Sequence, residues 1–100
     1  MSAESIKETL AGRLPEFAGL NARIRFDMGE DGTIAIDAKD GPPRLADESM
    51  EAVCTIRVTA ENMEKLMAGT LNPMLAYTLG KLKIDGSLGV AMKVAALLEE

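Results

Sequence analysis

The sequence predicts an α+β fold, a mostly antiparallel sheet with helices packed on its one apolar face. Three observations carry this. Residues 22–28 and 33–38 alternate apolar and polar side chains with the period of a strand. The turn sequence Gly29-Glu30-Asp31-Gly32 separates them. After residue 59 the punctuation becomes helical, with cap residues ahead of apolar runs and glycines behind them.

Taken in order, Ser5-x-x-Glu8 reads as a capping box, followed at helical spacing by Ile6, Leu10, Ala11 and Leu14. Pro15 limits how far that helix runs. In the first strand Ile24, Phe26 and Met28 point one way and Arg23, Arg25 and Asp27 the other. In the second, Ile34, Ile36 and Ala38 share the apolar side. The two should pair as an antiparallel hairpin with one wet and one buried face. Asp40-Gly41-Pro42-Pro43 breaks the pattern, and residues 40–51, with Asp47, Glu48 and Glu51, read as a loop with at most a short edge strand. Residues 53–58 form a third strand. Thr59 caps a helix over 60–68 that Gly69 closes. Asn72 caps the next, with Pro73 in its first turn and Gly80 at its end. Residues 81–85 are a short strand with Leu82 and Ile84 inward, Asp85-Gly86 turns, and Ser87 caps a last helix to about residue 98. There is no repeat, linker or low-complexity segment, so residues 1–100 read as a single domain.

Composition narrows the function. A chain of 100 residues should leave roughly 5,500 Å² exposed, which permits a core without staples. Aromatics are 3%, too few for base-stacking platforms, and the net charge of −5 disfavours duplex binding, so nucleic acid is excluded as a partner. There is no histidine, which removes histidine-based triads and metal sites. Cys54 is the only cysteine. Met1-Ser2-Ala3-Glu4-Ser5 lacks the basic and apolar regions of a signal peptide, and Leu98-Glu99-Glu100 is not a peroxisomal address. No apolar run approaches the ~20 residues of a membrane span. The expectation is a soluble protein of the reducing cytoplasm.

Two features bear on binding. Residues 87–98 contain Leu88, Val90, Ala91, Met92, Val94, Ala95, Ala96, Leu97 and Leu98, with Lys93 the only charge. A surface helix has an apolar stripe of little more than a third of its circumference. This helix is apolar nearly all round and needs a second cover: more core, a partner chain, a membrane surface or a bound lipid. The second feature is methionine. Met63, Met67, Met74 and Met92 lie on the three C-terminal helices, where they either fill gaps in an aromatic-poor core or line an adaptable apolar surface. A cavity between the sheet and these helices would accommodate the excess of apolar helix surface.

Other motifs fail. Residues 27–38 are no calcium loop, since Gly29 stands at the third ligand position and Ala38 at the twelfth. Gly80-Lys81 is no phosphate loop, with Leu75 at the first glycine position and Leu82 where Ser or Thr belongs. Cys54, in a strand and with no histidine to activate it, reads as a small buried apolar residue. Glu48 and Glu51 read as solvated loop charges. Nothing assembles a nucleophile, a base and an orienting group, so the chain reads as no enzyme.

The run Gly69-Thr70-Leu71-Asn72-Pro73-Met74-Leu75-Ala76-Tyr77-Thr78-Leu79-Gly80-Lys81-Leu82-Lys83-Ile84-Asp85-Gly86-Ser87 strongly resembles the sterol-carrier-protein type 2 domain family. Val90-Ala91-Met92-Lys93, the strand Cys54-Thr55-Ile56-Arg57-Val58-Thr59 and the opening hairpin fit the same family. The resemblance covers nearly the whole chain. It implies about five strands with helices on one face and an apolar tunnel between, without a cofactor, for binding and non-covalent transfer of a sterol, fatty acid, acyl-CoA or phospholipid. Carried over by position, the ligand-binding lining is Phe26 and Ile36 of the strands, Leu66, Met67, Met74, Leu75 and Leu79 of the middle helices, and Leu88, Met92, Ala95 and Ala96 of the last helix. Lys81 and Lys83 alternate with Leu82 and Ile84 and read as surface charges outside that site. The chain departs from the animal carriers in its missing peroxisomal tail, in Ile34-Ala35-Ile36 where a large aromatic is often found, and in its acidic balance. These departures fit a freestanding, prokaryotic-style module. The rival reading is a non-catalytic accessory protein whose apolar helices dock on an enzyme of lipid or quinone metabolism. The partners are thus a lipid or other apolar small molecule, with a transient membrane contact, a partner enzyme or a homodimer as further contacts.

Overall fold

A computed structural model describes residues 3–98. The elements run α1 (Ala3–Gly12), a 3-10 turn (Leu14–Phe17), β1 (Arg23–Asp27), β2 (Thr33–Asp37), β3 (Arg44–Ala46), β4 (Cys54–Val58), α2 (Ala60–Ala68), α3 (Pro73–Thr78), β5 (Leu82–Gly86) and α4 (Leu88–Leu98). The five strands make one sheet in the order β3-β2-β1-β4-β5. Every neighbouring pair is antiparallel except β1–β4, which is parallel. The hairpin, the short edge strand and the α+β architecture stand as expected. Residues 1, 2, 99 and 100, included in the search for targeting signals, lie outside the described residues.

Register explains the core. Leu45, Ile36, Ile24 and Cys54 stand opposite one another across four strands, and Ile34, Phe26, Ile56 and Ile84 form the parallel row. Val58 and Leu82 extend it on the β4–β5 side. Because side chains alternate along each strand, both rows fall on one face. The helices cover that face. α4 packs on β4 and β5, α3 on β5, and α1 lies against α2. Ile6, Leu10, Met63, Leu66, Val94 and Leu98 join the same buried cluster. The exposed area is 5459 Å², close to what a solid domain of this mass leaves exposed.

The cap residues act locally as read. Thr59 Oγ1 accepts from Asn62 N–H at 3.1 Å, Asn72 Oδ1 from Leu75 N–H at 3.0 Å, and Ser87 Oγ from Val90 N–H at 3.2 Å. Gly69 closes α2 in the left-handed conformation, φ 78°. The other end of the chain differs. α1 begins at Ala3, so Ser5 lies inside the helix and not ahead of it as a cap. Glu4 in its first turn suits the positive helix end, and Ser5 carbonyl takes up the Thr9 hydroxyl at 3.1 Å. β5 sits one residue later than expected, because Gly86 pairs with Cys54.

The outer sheet face is drier than its alternation implies. Ala35 and Asp37, both on that face, are buried. Asp37 accepts from Lys39 N–H at 3.0 Å, from Arg44 at 3.0 Å and from Arg23 at 3.4 Å, and Arg23 also pairs with Asp40. Arg25 donates to the carbonyls of Glu48 at 3.0 Å and Met50 at 2.9 Å, which ties the 47–50 loop to β1. A buried carboxylate persists because it is this fully hydrogen-bonded.

Gly86 carries the tightest backbone constraint. Its φ is 98°, and a Cβ there would stand 2.3 Å from the Val53 carbonyl oxygen. That same carbonyl accepts Ser87 N–H at 3.0 Å. Gly80 also has a positive φ, 77°, but has open space around it. We expect Gly86→Ala to cost about 3 kcal/mol by urea unfolding, against about 1 kcal/mol for Gly80→Ala, which bears only the left-handed penalty. Equal losses would remove the steric role of the Val53 carbonyl.

Asp37 yields a pH expectation. The Lys39 amide, ahead of the Asp40 amide and Arg23 and against the opposing effect of burial, holds its carboxyl below the ordinary 3.8. A carboxyl whose folded pKa is depressed contributes stability that is full above its unfolded value and lost as pH falls through the folded value. Stability should therefore decline below pH about 4. Asp37→Asn should flatten that limb in urea titrations between pH 5 and 2, and an unchanged slope would assign it to other carboxyls.

Candidate functional site: an apolar cleft between the last two helices

The helix α4 solves its all-round apolarity with several covers at once. Ala91, Val94, Ala95 and Leu98 are buried. Besides β4 and β5, α4 touches α2, α3 and the 3-10 turn at Leu14–Phe17. Alanines at 91 and 95 let these neighbours approach closely. Its C-terminal end is held by a residue far away in sequence. Arg13 Nη2 donates to the carbonyls of Leu97 at 2.7 Å and Leu98 at 3.3 Å, while its Nε meets Glu16 at 3.2 Å. A guanidinium there satisfies end carbonyls and opposes the negative helix end.

What remains uncovered is a cleft. Asn72, Pro73, Met74, Met92, Ala95 and Ala96 line a cavity of about 390 Å³ between the start of α3 and the middle of α4. It is open to solvent and mostly apolar, in place of the enclosed tunnel expected from sequence. Beside it α3 presents an unpartnered apolar face. Met74 is 60% exposed, Leu79 59% and Leu75 53%, while Ala76 and Pro73 on the inner side are buried.

The eleven residues expected to line a ligand site therefore separate. Met74, Met92, Ala95 and Ala96 meet in the cleft. Leu75 and Leu79 lie exposed on the adjoining face, and Leu88 is exposed at the start of α4. Met67 is half-buried against the core. Phe26, Ile36 and Leu66 are packed into the core cluster, where Phe26 and Ile36 are fully buried. The methionines divide in the same way: Met63 fills core, while Met74 and Met92 line the cleft. Pro73 and Asn72 are lining residues that sequence reading missed as such, although their helix-start signature located them.

Cys54 is buried beneath the helices. Desolvation, and then the Asp85 carboxylate, push its thiol up from the ordinary value, so the thiolate is disfavoured. Glu48 and Glu51 are exposed loop residues. Among the described residues no group of three or more carboxylate or cysteine side chains is placed to hold a metal. No helix among them is long and apolar enough to cross a membrane.

The model of the SCP-2 sterol transfer family matches residues 3–99. The chain belongs to that family. Rat sterol carrier protein 2 (Rattus norvegicus) is 40% identical over 70 residues, which cover 69% of this chain and 13% of the rat protein. The chain thus spans about an eighth of the length of that curated relative. Among solved structures, sterol carrier protein 2 from Aedes aegypti in complex with palmitate matches with a TM-score of 0.70 at 19% identity, over 98% of this chain and 96% of that one. The inverting sec-alkylsulfatase from Pseudomonas sp. matches with a TM-score of 0.77 at 20% identity, over 100% of this chain but 17% of the enzyme. At these identities the structural matches establish the SCP-2 fold.

The division between packed and lining residues is measurable. Phe26→Ala should cost about 4 kcal/mol, the range for emptying a buried aromatic site. Met74→Ala and Leu75→Ala should each stay within about 0.5 kcal/mol, as exposed substitutions do. Chemical unfolding of the three variants checks this, and a comparable loss at Met74 would place it in the core instead.

Proposed function

We propose that this SCP-2 domain, taken as one unit over residues 1–100, binds an apolar chain in the α3–α4 cleft and passes it on without covalent chemistry. The observation that carries this is the cleft itself. It is an apolar volume of about 390 Å³, lined in part by flexible methionines and continuous with the exposed apolar face of α3. Its size lies at the small end of ligand pockets. Family membership supports the reading, and the Aedes aegypti relative of the same fold is a complex with a C16 fatty acid. Ligand classes are a sterol, fatty acid, acyl-CoA or phospholipid. Met74, Met92, Ala95 and Ala96 hold the chain, with Leu75, Leu79 and Leu88 beside its path. Phe26, Ile36, Leu66 and Met67 act behind them as the packed floor. The domain is non-catalytic, its one thiol being buried, and works in the cytoplasm.

A second reading has an observation of its own. Met74, Leu75 and Leu79 stay exposed, and the Pseudomonas sulfatase carries this fold as a fraction of a longer enzyme. On that reading the α3 face docks on a client enzyme or a second copy of the chain.

Displacement of a fluorescent fatty acid from the delipidated protein separates the two. We expect saturable binding, displaced by one of a sterol, a long-chain acyl-CoA or a phospholipid. Ala96→Trp, which fills the cleft from an exposed position, should weaken binding more than tenfold and leave stability within about 0.5 kcal/mol. No saturable binding at micromolar protein overturns the carrier reading. So does a variant that binds as the original does.

A further inference from the structure

We infer that the open edge of β5 pairs with β5 of a second copy of this chain, antiparallel about Ile84, to give a symmetric dimer with one sheet running through both copies. The inference concerns a strand edge and rests on neither reading of the α3–α4 cleft.

The hydrogen-bond phase of the sheet decides which backbone groups of β5 are free. Ala38 N–H donates to the Ala22 carbonyl at 3.1 Å, and Met28 N–H to the Gly32 carbonyl at 2.9 Å. Both fall on the β1–β2 register, so Ile24 and Phe26 bond to β2, while Arg23, Arg25 and Asp27 turn their backbone to β4. The parallel register Arg25↔Thr55 then turns Cys54 and Ile56 to β1, which leaves Thr55 and Arg57 to bond Asp85 and Lys83. Ser87 N–H, donating to the Val53 carbonyl at 3.0 Å, continues that alternation. Leu82, Ile84 and Gly86 therefore point N–H and C=O away from β4, off the end of the sheet. Among the described residues no turn, cap or side chain hydrogen-bonds these groups. The opposite edge is guarded: β3 has three residues, follows Pro42-Pro43 and leads into the loop that Arg25 ties down.

β5 is also complementary to itself. Its sequence is Leu82-Lys83-Ile84-Asp85-Gly86. Antiparallel pairing centred on Ile84 sets that residue opposite its own copy as a pair exchanging both backbone bonds, and Leu82 opposite the partner's Gly86 in the same phase. Lys83 then meets the partner's Asp85, twice by symmetry, at the closer-spaced positions where cross-strand side chains interact. Within β5, a shift by two residues sets like charge against like, Lys83 on Lys83 or Asp85 on Asp85. Inside its own chain Lys83 stands opposite Arg57 and makes no ion pair among the described residues, because Arg57 takes Asp85 at 2.8 Å. A lone edge lysine opposes pairing with a like strand, whereas the acid two positions on makes the charge attractive in the centred register. On the other face half-buried Ile84 ends the row Ile34–Phe26–Ile56–Ile84, and the pairing continues that row into the second copy. The axis of such a pair is normal to the sheet, so both helix layers lie on one side of it. α3, which packs on β5 with Leu75 and Leu79 exposed, stands beside the seam in each copy. A five-residue edge makes a small interface, of the transient class below about 1,200 Å².

Sedimentation equilibrium of the full chain, carried up to about 1 mM protein, should show a reversible monomer–dimer equilibrium. Hydrogen exchange read by amide NMR locates the seam. As the protein concentration rises, the amides of Leu82, Ile84 and Gly86 should gain protection, while those of Lys83 and Asp85, already bonded to β4, change less. Lys83→Glu and Asp85→Lys, both at exposed positions, each set like charges opposite one another at both ends of the seam and should weaken association about tenfold. Mixed in equal amounts, the two variants bring opposite charges together at both ends and should pair with each other as strongly as the original chain does with itself. Their amide spectra show that they fold, and the exchange pattern of the unsubstituted chain reads the seam without either. A chain that stays monomeric throughout overturns the inference. So does a dimer that leaves the Leu82, Ile84 and Gly86 amides unprotected, one that either variant forms as the original does, or a mixture that associates no better than its parts. No ligand enters these measurements, so the carrier reading stands or falls separately.

Discussion

The sheet has one apolar face, five strands wide, and everything else in the molecule follows from the need to cover it. The rows Leu45–Ile36–Ile24–Cys54 and Ile34–Phe26–Ile56–Ile84 run across the strands without a polar interruption. Leaving such a surface wet costs roughly 25 cal/mol for each Å². α4 covers the β4–β5 side and can lie close because Ala91 and Ala95 are small. α2 reaches the core with Met63 and Leu66, and α1 with Ile6 and Leu10. α3, only six residues long, is left at the margin on β5 with its outer side unpartnered. The cleft between α3 and α4 is the seam between a helix that must be central and one that is too short to be.

The opposite sheet face is organised by charge. Arg23, Arg44 and Asp40 close over Asp37, Arg25 ties down the 47–50 loop, and Arg57 pairs with Asp85. Its arginines are therefore engaged with acids or carbonyls, while Lys39, Lys81 and Lys83 make no ion pair among the described residues.

This history explains which features could be read from the residues alone. Thr59, Asn72 and Ser87 were readable as caps because each bonds an amide three residues on. The hairpin was readable because its register is set by one short turn and an alternating pattern. Ser5 misled because a capping box is a local pattern that a helix starting at Ala3 absorbs. The parallel β1–β4 pairing joins strands separated by the whole of β2, β3 and a loop, and no local pattern encodes it. Arg13 at the end of α4 bridges 84 residues. Phe26, Ile36 and Leu66 have the same apolar character whether they line a cavity or fill a core, so only packing separates them from Met74, Met92 and Ala96. Lys81 and Lys83 are exposed, as their alternation with Leu82 and Ile84 implies.

An open cleft also bears on what a transfer protein must do. Complete burial of a methylene is worth about 0.8 kcal/mol, so an enclosed tunnel gains that for each carbon and must open to release its cargo. A cleft that covers one side of the chain gains roughly half as much per methylene by the same measure. On the proposed reading, release then needs no rearrangement of α4, which Arg13 holds at its end and Val94 and Leu98 anchor in the core. The loss in affinity must be made up by other contacts. Met74 and Met92, with several rotatable bonds each, can close over whatever chain is present. On the proposed reading the domain holds its ligand by a partial, adaptable contact in place of one strong enclosure, an arrangement suited to handing the ligand on.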